Sequence, residues 1–131
     1  MTTTTVTPFL MFQGKAEEAM RLYTSLFANA SIVEIERFGA GEPGAEGTVK
    51  KGAFVIGDRR FMCLDSPVKH AFGFTPALSL FVAGLSEPEV DRVFGALAEG
   101  GQVLMPLGTY PFSARFGWVN DRFGVSWQIS A

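Results

Sequence analysis

The stretch Thr7-Pro8-Phe9-Leu10-Met11-Phe12 is echoed further along the chain by Thr75-Pro76-Ala77-Leu78-Ser79-Leu80-Phe81. After each stretch, apolar residues recur at the three- and four-residue spacing of an amphipathic helix. Each helix pattern is followed by a strand pattern and then by a hairpin pattern. The sequence therefore predicts a duplicated unit with the element order βαβββ, an order typical of a curved sheet around a shared pocket.

The predicted fold class is α+β, with tandem βαβββ modules whose mixed sheets curve into a cup. We expect one domain over residues 1–131, with module one at about 6–66 and module two at about 75–131. A doubly wound parallel sheet would need a crossover where hairpin spacing is found, so it is disfavoured. Strands are predicted at residues 6–12, 31–38, 48–56, 60–65, 77–83, 102–107, 114–120 and 125–130, and helices at about 15–28 and from the capping box Ser86–Glu89 to Gly100-Gly101.

Composition excludes several classes of function. The apolar fraction of 47% and the 13 phenylalanines are incompatible with a disordered chain. The net charge is −2 and basic residues are scattered, so we expect no nucleic-acid partner. No apolar run approaches the roughly 20 residues of a membrane helix, so we expect no membrane partner. The single cysteine, Cys63, fits the reducing cytoplasm.

Six stretches spread over nearly the whole chain carry a family resemblance: Thr7–Phe12, Ala16–Ala19, Tyr23–Phe27, Phe74–Leu80, Glu89–Arg92 and Gly117–Ile129. They resemble the PhnB-like family, also called 3-demethylubiquinone-9 3-methyltransferase-like, of the vicinal oxygen chelate (glyoxalase and bleomycin-resistance) superfamily. The resemblance implies two βαβββ modules that curl into a cup and commonly assemble as homodimers. Fold analogy supports this architecture far more than any reaction.

The resemblance also implies where a metal ion would bind. Enzymes of the superfamily usually place His or Gln on the first strand of each module and Glu on the last. The matching positions here are Thr7 or Pro8, Pro76 or Ala77, Cys63 and Gln128. Proline and alanine offer no donor atom, and a cysteine with a glutamine is a poor ligand pair for one ion. We therefore expect no metal and no cofactor.

Six residues are candidates for lining a ligand pocket: Gln128, Cys63, Ser79, Trp118, Phe74 and Arg115. Gln128 shares a strand face with Ser126 and Ser130, so it either binds a ligand or satisfies neighbouring backbone. Cys63 is either a pocket thiol or a small apolar core residue. Arg115 would be an anion partner at the pocket rim, or else a solvated side chain.

Three further features of the sequence each have a functional and a structural interpretation. His70 is the only histidine and lies in a linker, where a solvated side chain is commoner than a catalytic base. Asp65 ends the fourth predicted strand and either acts as a base or begins a turn. The string Gly39–Gly44 has dinucleotide-motif spacing but precedes a strand instead of opening a helix, which favours a loop.

The sequence therefore predicts a small-molecule-binding protein of the glyoxalase and bleomycin-resistance type without a catalytic metal. The expected ligand is small and apolar or aromatic, and the expected assembly is a homodimer. The alternative is a metal-dependent lyase, isomerase or dioxygenase of the superfamily, or a methyltransferase as the family name suggests. Whether any reaction is catalysed stays open at this point.

Overall fold

A computed structural model describes residues 3–131, and the chain divides into two compact units between His70 and Ala71. We call these units module one and module two. Each has the element order βαβββ, which confirms the predicted α+β class. Within the described residues, neither helix is long and apolar enough to cross a membrane.

Module one contains one helix and a mixed sheet of four strands in the order β1-β4-β3-β2. Strand β1 runs parallel to β4, and the other neighbours are antiparallel. The elements are β1 Phe9–Phe12, α1 Ala16–Leu26, β2 Ala30–Arg37, β3 Val49–Ile56 and β4 Arg59–Asp65.

Module two repeats this topology with its strands in the order β5-β8-β7-β6. Strand β5 is parallel to β8, and β7 is antiparallel to both of its neighbours. The elements are β5 Ser79–Val82, α2 Glu87–Ala98, β6 Gln102–Tyr110, β7 Ser113–Asn120 and β8 Ser126–Ser130.

The start of α2 follows the predicted capping box. The Ser86 side chain accepts a hydrogen bond from the Glu89 backbone N–H at 3.2 Å, and the Glu89 carboxylate accepts from the Ser86 N–H at 2.9 Å. The pair satisfies two backbone donors that the first turn leaves without helical partners. The helix then buries Val90, Val93 and Leu97 against its sheet.

Each helix covers one face of its own sheet through a close approach to a glycine. A Cβ atom added to Gly52 would lie 2.8 Å from the Met20 side chain of α1. A Cβ atom added to Gly117 would collide with the Phe94 ring of α2. We call the side of each sheet away from its helix the helix-free face.

These two glycines also establish how the modules correspond. Gly52 pairs with Cys63 and Gly117 pairs with Ile129, so Cys63 corresponds to Ile129. The residues that precede Cys63 and Ile129 in the chain also correspond, and these are Met62 and Gln128. Met62 pairs with Phe9 of β1 and Gln128 pairs with Phe81 of β5. Phe9 thus corresponds to Phe81, and Thr7 to Ser79.

The sequence match between Thr7-Pro8 and Thr75-Pro76 is therefore not a structural equivalence. The Leu78 backbone N–H donates to the Thr75 carbonyl at 3.4 Å, which closes a turn before β5. The predicted strand 77–83 is correspondingly only Ser79–Val82, and the predicted strand 6–12 is Phe9–Phe12. The predicted metal positions at Pro76 and Ala77 fall in this turn, which was a wrong placement.

In each module, one buried aspartate joins neighbouring segments of the chain by accepting several hydrogen bonds. Asp121, in the turn between β7 and β8, accepts hydrogen bonds from the backbone N–H groups of Phe123 and Val125. It also accepts from Nε1 of the buried Trp127 at 3.0 Å. One carboxylate therefore holds the turn and anchors the first half of β8.

Asp65, the last residue of β4, has a comparable role in module one, and it is buried. Its Oδ1 accepts from the backbone N–H groups of Gly14 and Ala16 at 2.7 and 3.0 Å. Its Oδ2 accepts from the Val49 N–H at 2.8 Å. The carboxylate thus joins the start of α1 and the start of β3 to the end of β4, which is a structural role.

Replacing Asp65 with asparagine tests this role. Asp65→Asn substitutes an NH₂ donor for an oxygen that faces N–H donors, so at least one buried hydrogen bond is lost. We expect the free energy of unfolding to fall by about 2–3 kcal/mol, measured by urea denaturation. Asp58→Asn, at an exposed position in the β3–β4 turn, is the matched control and should change little. Equal effects of both substitutions would contradict the assignment.

Candidate ligand-binding site

The helix-free face of module two gathers polar but uncharged side chains among aromatic rings. Side chains alternate across a strand, so every second residue of β5, β7 and β8 lies on this face. None of these paired residues on β5, β7 and β8 carries a formal charge. They are Ser79, Phe81, Phe116, Trp118, Asn120, Ser126, Gln128 and Ser130.

At the centre of this face, Gln128 and Ser79 form a hydrogen-bonded pair. The Gln128 Nε2 atom donates to Ser79 Oγ at 2.7 Å, and both side chains are partly exposed. The bond leaves the Gln128 carbonyl oxygen as an acceptor, and it leaves the second Gln128 amide hydrogen and the Ser79 hydroxyl hydrogen as donors. The pair can therefore both donate to and accept from a bound molecule. We call it the amide–hydroxyl pair.

Aromatic side chains flank the amide–hydroxyl pair on the neighbouring strands. Trp118 lies directly opposite Gln128 on β7, and its Nε1 donates to Ser126 Oγ at 2.8 Å. Phe81 is the partner of Gln128 on β5 and remains 57% exposed. The Phe81 ring lies 6.3 Å from that of the buried Phe116, centroid to centroid. Gln128 is thus bordered by an indole and an exposed phenyl ring.

The aromatic group continues from Phe116 toward the end of β6. Tyr110 and Phe112 both meet the Phe116 ring edge-on, with centroids 5.5 and 4.8 Å away. Edge-to-face contacts of this kind stabilise aromatic clusters beyond the area that they bury. The cluster gives the candidate site a firm apolar side.

Asn120 adds an unsatisfied acceptor to the same face. Its Oδ1 atom is buried and accepts no hydrogen bond. Asn120 pairs across the strands with Ser126, two residues along β8 from Gln128. A buried acceptor without a donor costs free energy.

Arg115 does not lie on this face, which corrects the predicted anion partner. Its Nε atom donates to Asp91 Oδ1 of α2 at 2.7 Å, on the side of the sheet that the helix covers. This hydrogen bond raises the pKa of the Arg115 guanidinium above its ordinary value. Strand alternation explains the placement, since Arg115 is one residue removed from Phe116.

Cys63 also lies on the wrong side for a pocket residue. Its Sγ atom sits beside Gly52 on the face covered by α1, and its side chain is fully buried. Burial raises the pKa of the thiol to about 12, and the nearby Asp65 carboxylate adds to this. The alignment of Cys63 with Gln128 is off by one residue, and in a strand one residue reverses the face. Of the two alternatives, a pocket thiol and a core residue, the structure places Cys63 as a core residue.

The remaining candidates lie elsewhere in each module. Phe74 precedes β5 and lies beside Gly124, in the turn between β7 and β8. His70 lies in module one, where its Nε2 atom is 2.9 Å from Ser66 Oγ. Of the six predicted pocket residues, the structure brings together Gln128, Ser79 and Trp118. Sequence reasoning missed Phe81 and Asn120, although alternation from Ser79 along β5 would have indicated Phe81.

The chemistry of these residues does not fit the divalent metal ion of the superfamily. The oxygen and nitrogen atoms on the paired residues of this face belong to neutral hydroxyl, amide and indole groups. Divalent ions in proteins favour carboxylate, imidazole or thiolate ligands. In residues 3–131, no group of three or more His, Cys, Asp or Glu side chains is placed to hold a metal. The helix-free face of β4 presents Met62 and Leu64 instead.

Two tandem βαβββ modules, each with one helix on a mixed four-stranded sheet, define the vicinal oxygen chelate fold. A sequence model of the family described as 3-demethylubiquinone-9 3-methyltransferase matches residues 4–130. The chain belongs to this PhnB-like family, as the six sequence stretches indicate. No curated protein matches the sequence.

Several solved structures are similar to this chain. A PhnB protein from Bacillus cereus, provisionally described as a 3-demethylubiquinone-9 3-methyltransferase, is 55% identical with a TM-score of 0.93, covering 97% of this chain and 98% of its own. A protein from Pseudomonas aeruginosa is 31% identical with a TM-score of 0.77, covering 98% and 97%. A variant of the fosfomycin resistance protein FosX from Listeria monocytogenes, complexed with Mn(II) and a dihydroxypropylphosphonic acid, is 13% identical with a TM-score of 0.65, covering 100% and 93%. The FosX likeness extends to the fold alone.

The placement of Cys63 can be tested by thiol labelling. Because the thiol is buried and its pKa is about 12, the folded protein should react with a disulfide reagent more slowly than the urea-unfolded protein. We expect a difference of more than about tenfold at mildly alkaline pH. The control carries Cys63→Ala with Ser25→Cys, whose thiol on the exposed side of α1 should react rapidly in the folded state. Rapid labelling of Cys63 in folded protein would contradict its burial.

Proposed function

We propose that this protein binds a small, mostly apolar or aromatic molecule on the helix-free face of module two, and that binding needs no metal ion. The observation that carries the proposal is the amide–hydroxyl pair of Gln128 and Ser79, bordered by Phe81 and Trp118. Small-molecule sites are typically apolar with a few polar groups that fix orientation. The face has this composition.

The exposed Phe81 ring supplies a reason for a ligand to bind here. At 57% exposure it leaves apolar surface in water, and a ligand that covered it would gain about 25 cal/mol for each Å² buried. The Phe81–Phe116 contact holds the ring in place, so less side-chain entropy is lost when a ligand binds.

The duplication supports module two as the location. Met62 in module one occupies the position of Gln128, and Phe9 occupies that of Phe81. Both modules therefore present a half-exposed phenyl ring, at 52% and 57% exposure, but only the second combines it with the amide–hydroxyl pair. An uncharged hydrogen-bonding pair beside the exposed ring is therefore a feature of module two.

Methyl transfer, as the family is described, is the alternative activity, and a metal-dependent reaction is another. General acid–base catalysis typically uses His, Glu, Asp, Lys, Tyr or Cys. Such groups are absent from the paired residues of β5, β7 and β8 on the helix-free face, and the hydroxyl of Tyr110 in the adjoining aromatic cluster donates to the Pro106 carbonyl at 2.7 Å. This composition favours binding over catalysis at this site.

We further propose that the protein is a cytoplasmic homodimer. Several large apolar side chains are more than half exposed, and removing them from water between two copies of the chain would stabilise a dimer. They include Val6, Phe9, Val68, Phe72, Leu78, Phe81 and Phe112. The unpaired Cys63 is compatible with a reducing compartment. Light scattering coupled to gel filtration measures the assembly, and a monomer at micromolar concentration would contradict the dimer.

The proposed site is tested by a matched pair of aromatic substitutions in protein treated with a chelator. Nile red, an uncharged fluorescent probe, should bind the unsubstituted protein saturably. Phe81→Ser should weaken binding by about tenfold or more, because aromatic anchors carry much of the energy of such sites. The measurement is a fluorescence titration, with folding checked by circular dichroism.

Phe9→Ser is the control, because Phe9 has the same strand position and nearly the same exposure in module one. It should leave the affinity for Nile red unchanged. An equal loss in both variants would show that the probe binds exposed rings indiscriminately. Binding that required an added divalent ion would contradict the metal-independent part of the proposal.

A further inference from the structure

Module two provides no positive charge at the candidate site. Its cationic side chains are Arg92, Arg115 and Arg122, and it contains no lysine. Arg92 lies on α2, and Arg115 pairs with Asp91 on the helix-covered side of the sheet. Arg122 lies in the turn before β8, where its guanidinium is 5.9 Å from the centre of the Phe123 ring. A negatively charged ligand would therefore find no counter-charge on the paired residues of the face.

The hydrogen-bonding groups of the site are equally selective. Gln128 offers its carbonyl oxygen and its second amide hydrogen, and Ser79 offers a hydroxyl hydrogen. The matching ligand therefore carries both an acceptor and an N–H or O–H hydrogen. A carboxylate has no hydrogen to give, so it would leave the Gln128 carbonyl oxygen unpaired, and no cationic side chain among the paired residues of the face would offset its charge.

We propose that the site selects an uncharged, planar ligand whose polar group both donates and accepts hydrogen bonds, such as an aryl amide or an aryl alcohol, and that it rejects the corresponding anion. The inference rests on the proposed binding function and specifies the ligand class of the same site. Placing a charge on this face without a partner carries a desolvation cost that an uncharged group of the same shape avoids.

Two molecules of nearly the same shape separate charge from size. Naphthalene-2-carboxamide and naphthalene-2-carboxylate share the ring and differ in charge and in N–H donors. Calorimetric titration of chelator-treated protein at neutral pH should give an affinity for the carboxamide higher by about tenfold or more, the equivalent of one good hydrogen bond. Equal affinities, or tighter binding of the carboxylate, would overturn the inference.

Substitution of Gln128 then locates the selectivity. Gln128→Lys places a positive charge at the centre of the face and should reverse the preference toward the carboxylate. Gln128→Met, which copies the residue at the corresponding position of module one, should lower the affinity for the carboxamide relative to that for naphthalene. Met62→Lys is the control, since it adds the same charge at the equivalent position of module one. It should preserve the preference for the carboxamide.

The outcomes distinguish the two proposals. If none of the naphthalene probes binds, the proposed function fails and the inference fails with it. If both the carboxamide and the carboxylate bind with similar affinity, the binding function stands and only the selectivity is wrong. If Met62→Lys reverses the preference as effectively as Gln128→Lys, the selectivity does not arise in module two.

Discussion

In each module, the close approach of the helix to one glycine determines which face of the sheet the helix covers. Gly117 lets the Phe94 ring rest on β7, and Gly52 lets Met20 rest on β3. Because side chains alternate across a strand, this contact decides which residues are covered and which are left for a ligand. Any larger side chain at either glycine would have to displace the helix or its core residue.

The duplication has preserved the fold more strictly than the site. Both modules keep the strand order, the parallel first and last strands and a phenylalanine on the helix-free face of the first strand. The two modules differ at the residue of the last strand that pairs with this phenylalanine, which is Met62 in module one and Gln128 in module two. Core contacts constrain the helix-covered face, whereas partly exposed positions of the opposite face, such as those of Gln128 and Met62, can change at less cost in packing.

Much of the architecture could be predicted from the sequence, because its signals are local. The element order, the capping box at Ser86 and the turn at Asp121 each depend on neighbouring residues. The strand on which Gln128 lies, and its companions Ser126 and Ser130, also followed from alternation.

The errors arose where correspondence between modules was needed. The connection between β2 and β3 is much longer than that between β6 and β7, so no constant spacing aligns the two halves. A one-residue error moved Cys63 to the wrong face, and the Thr-Pro match misplaced the start of β5. The Arg115–Asp91 pair joins a strand to a distant helix, and no local pattern contains that information.

The two tryptophans lie on opposite faces of the sheet of module two, so their fluorescence reports on different surroundings. Both belong to module two, with Trp127 buried against Asp121 and Trp118 on the helix-free face beside Gln128. Module one is consequently silent in tryptophan emission. Trp127 emission therefore reports on the packing of the interior, whereas Trp118 emission reports on the surroundings of Gln128.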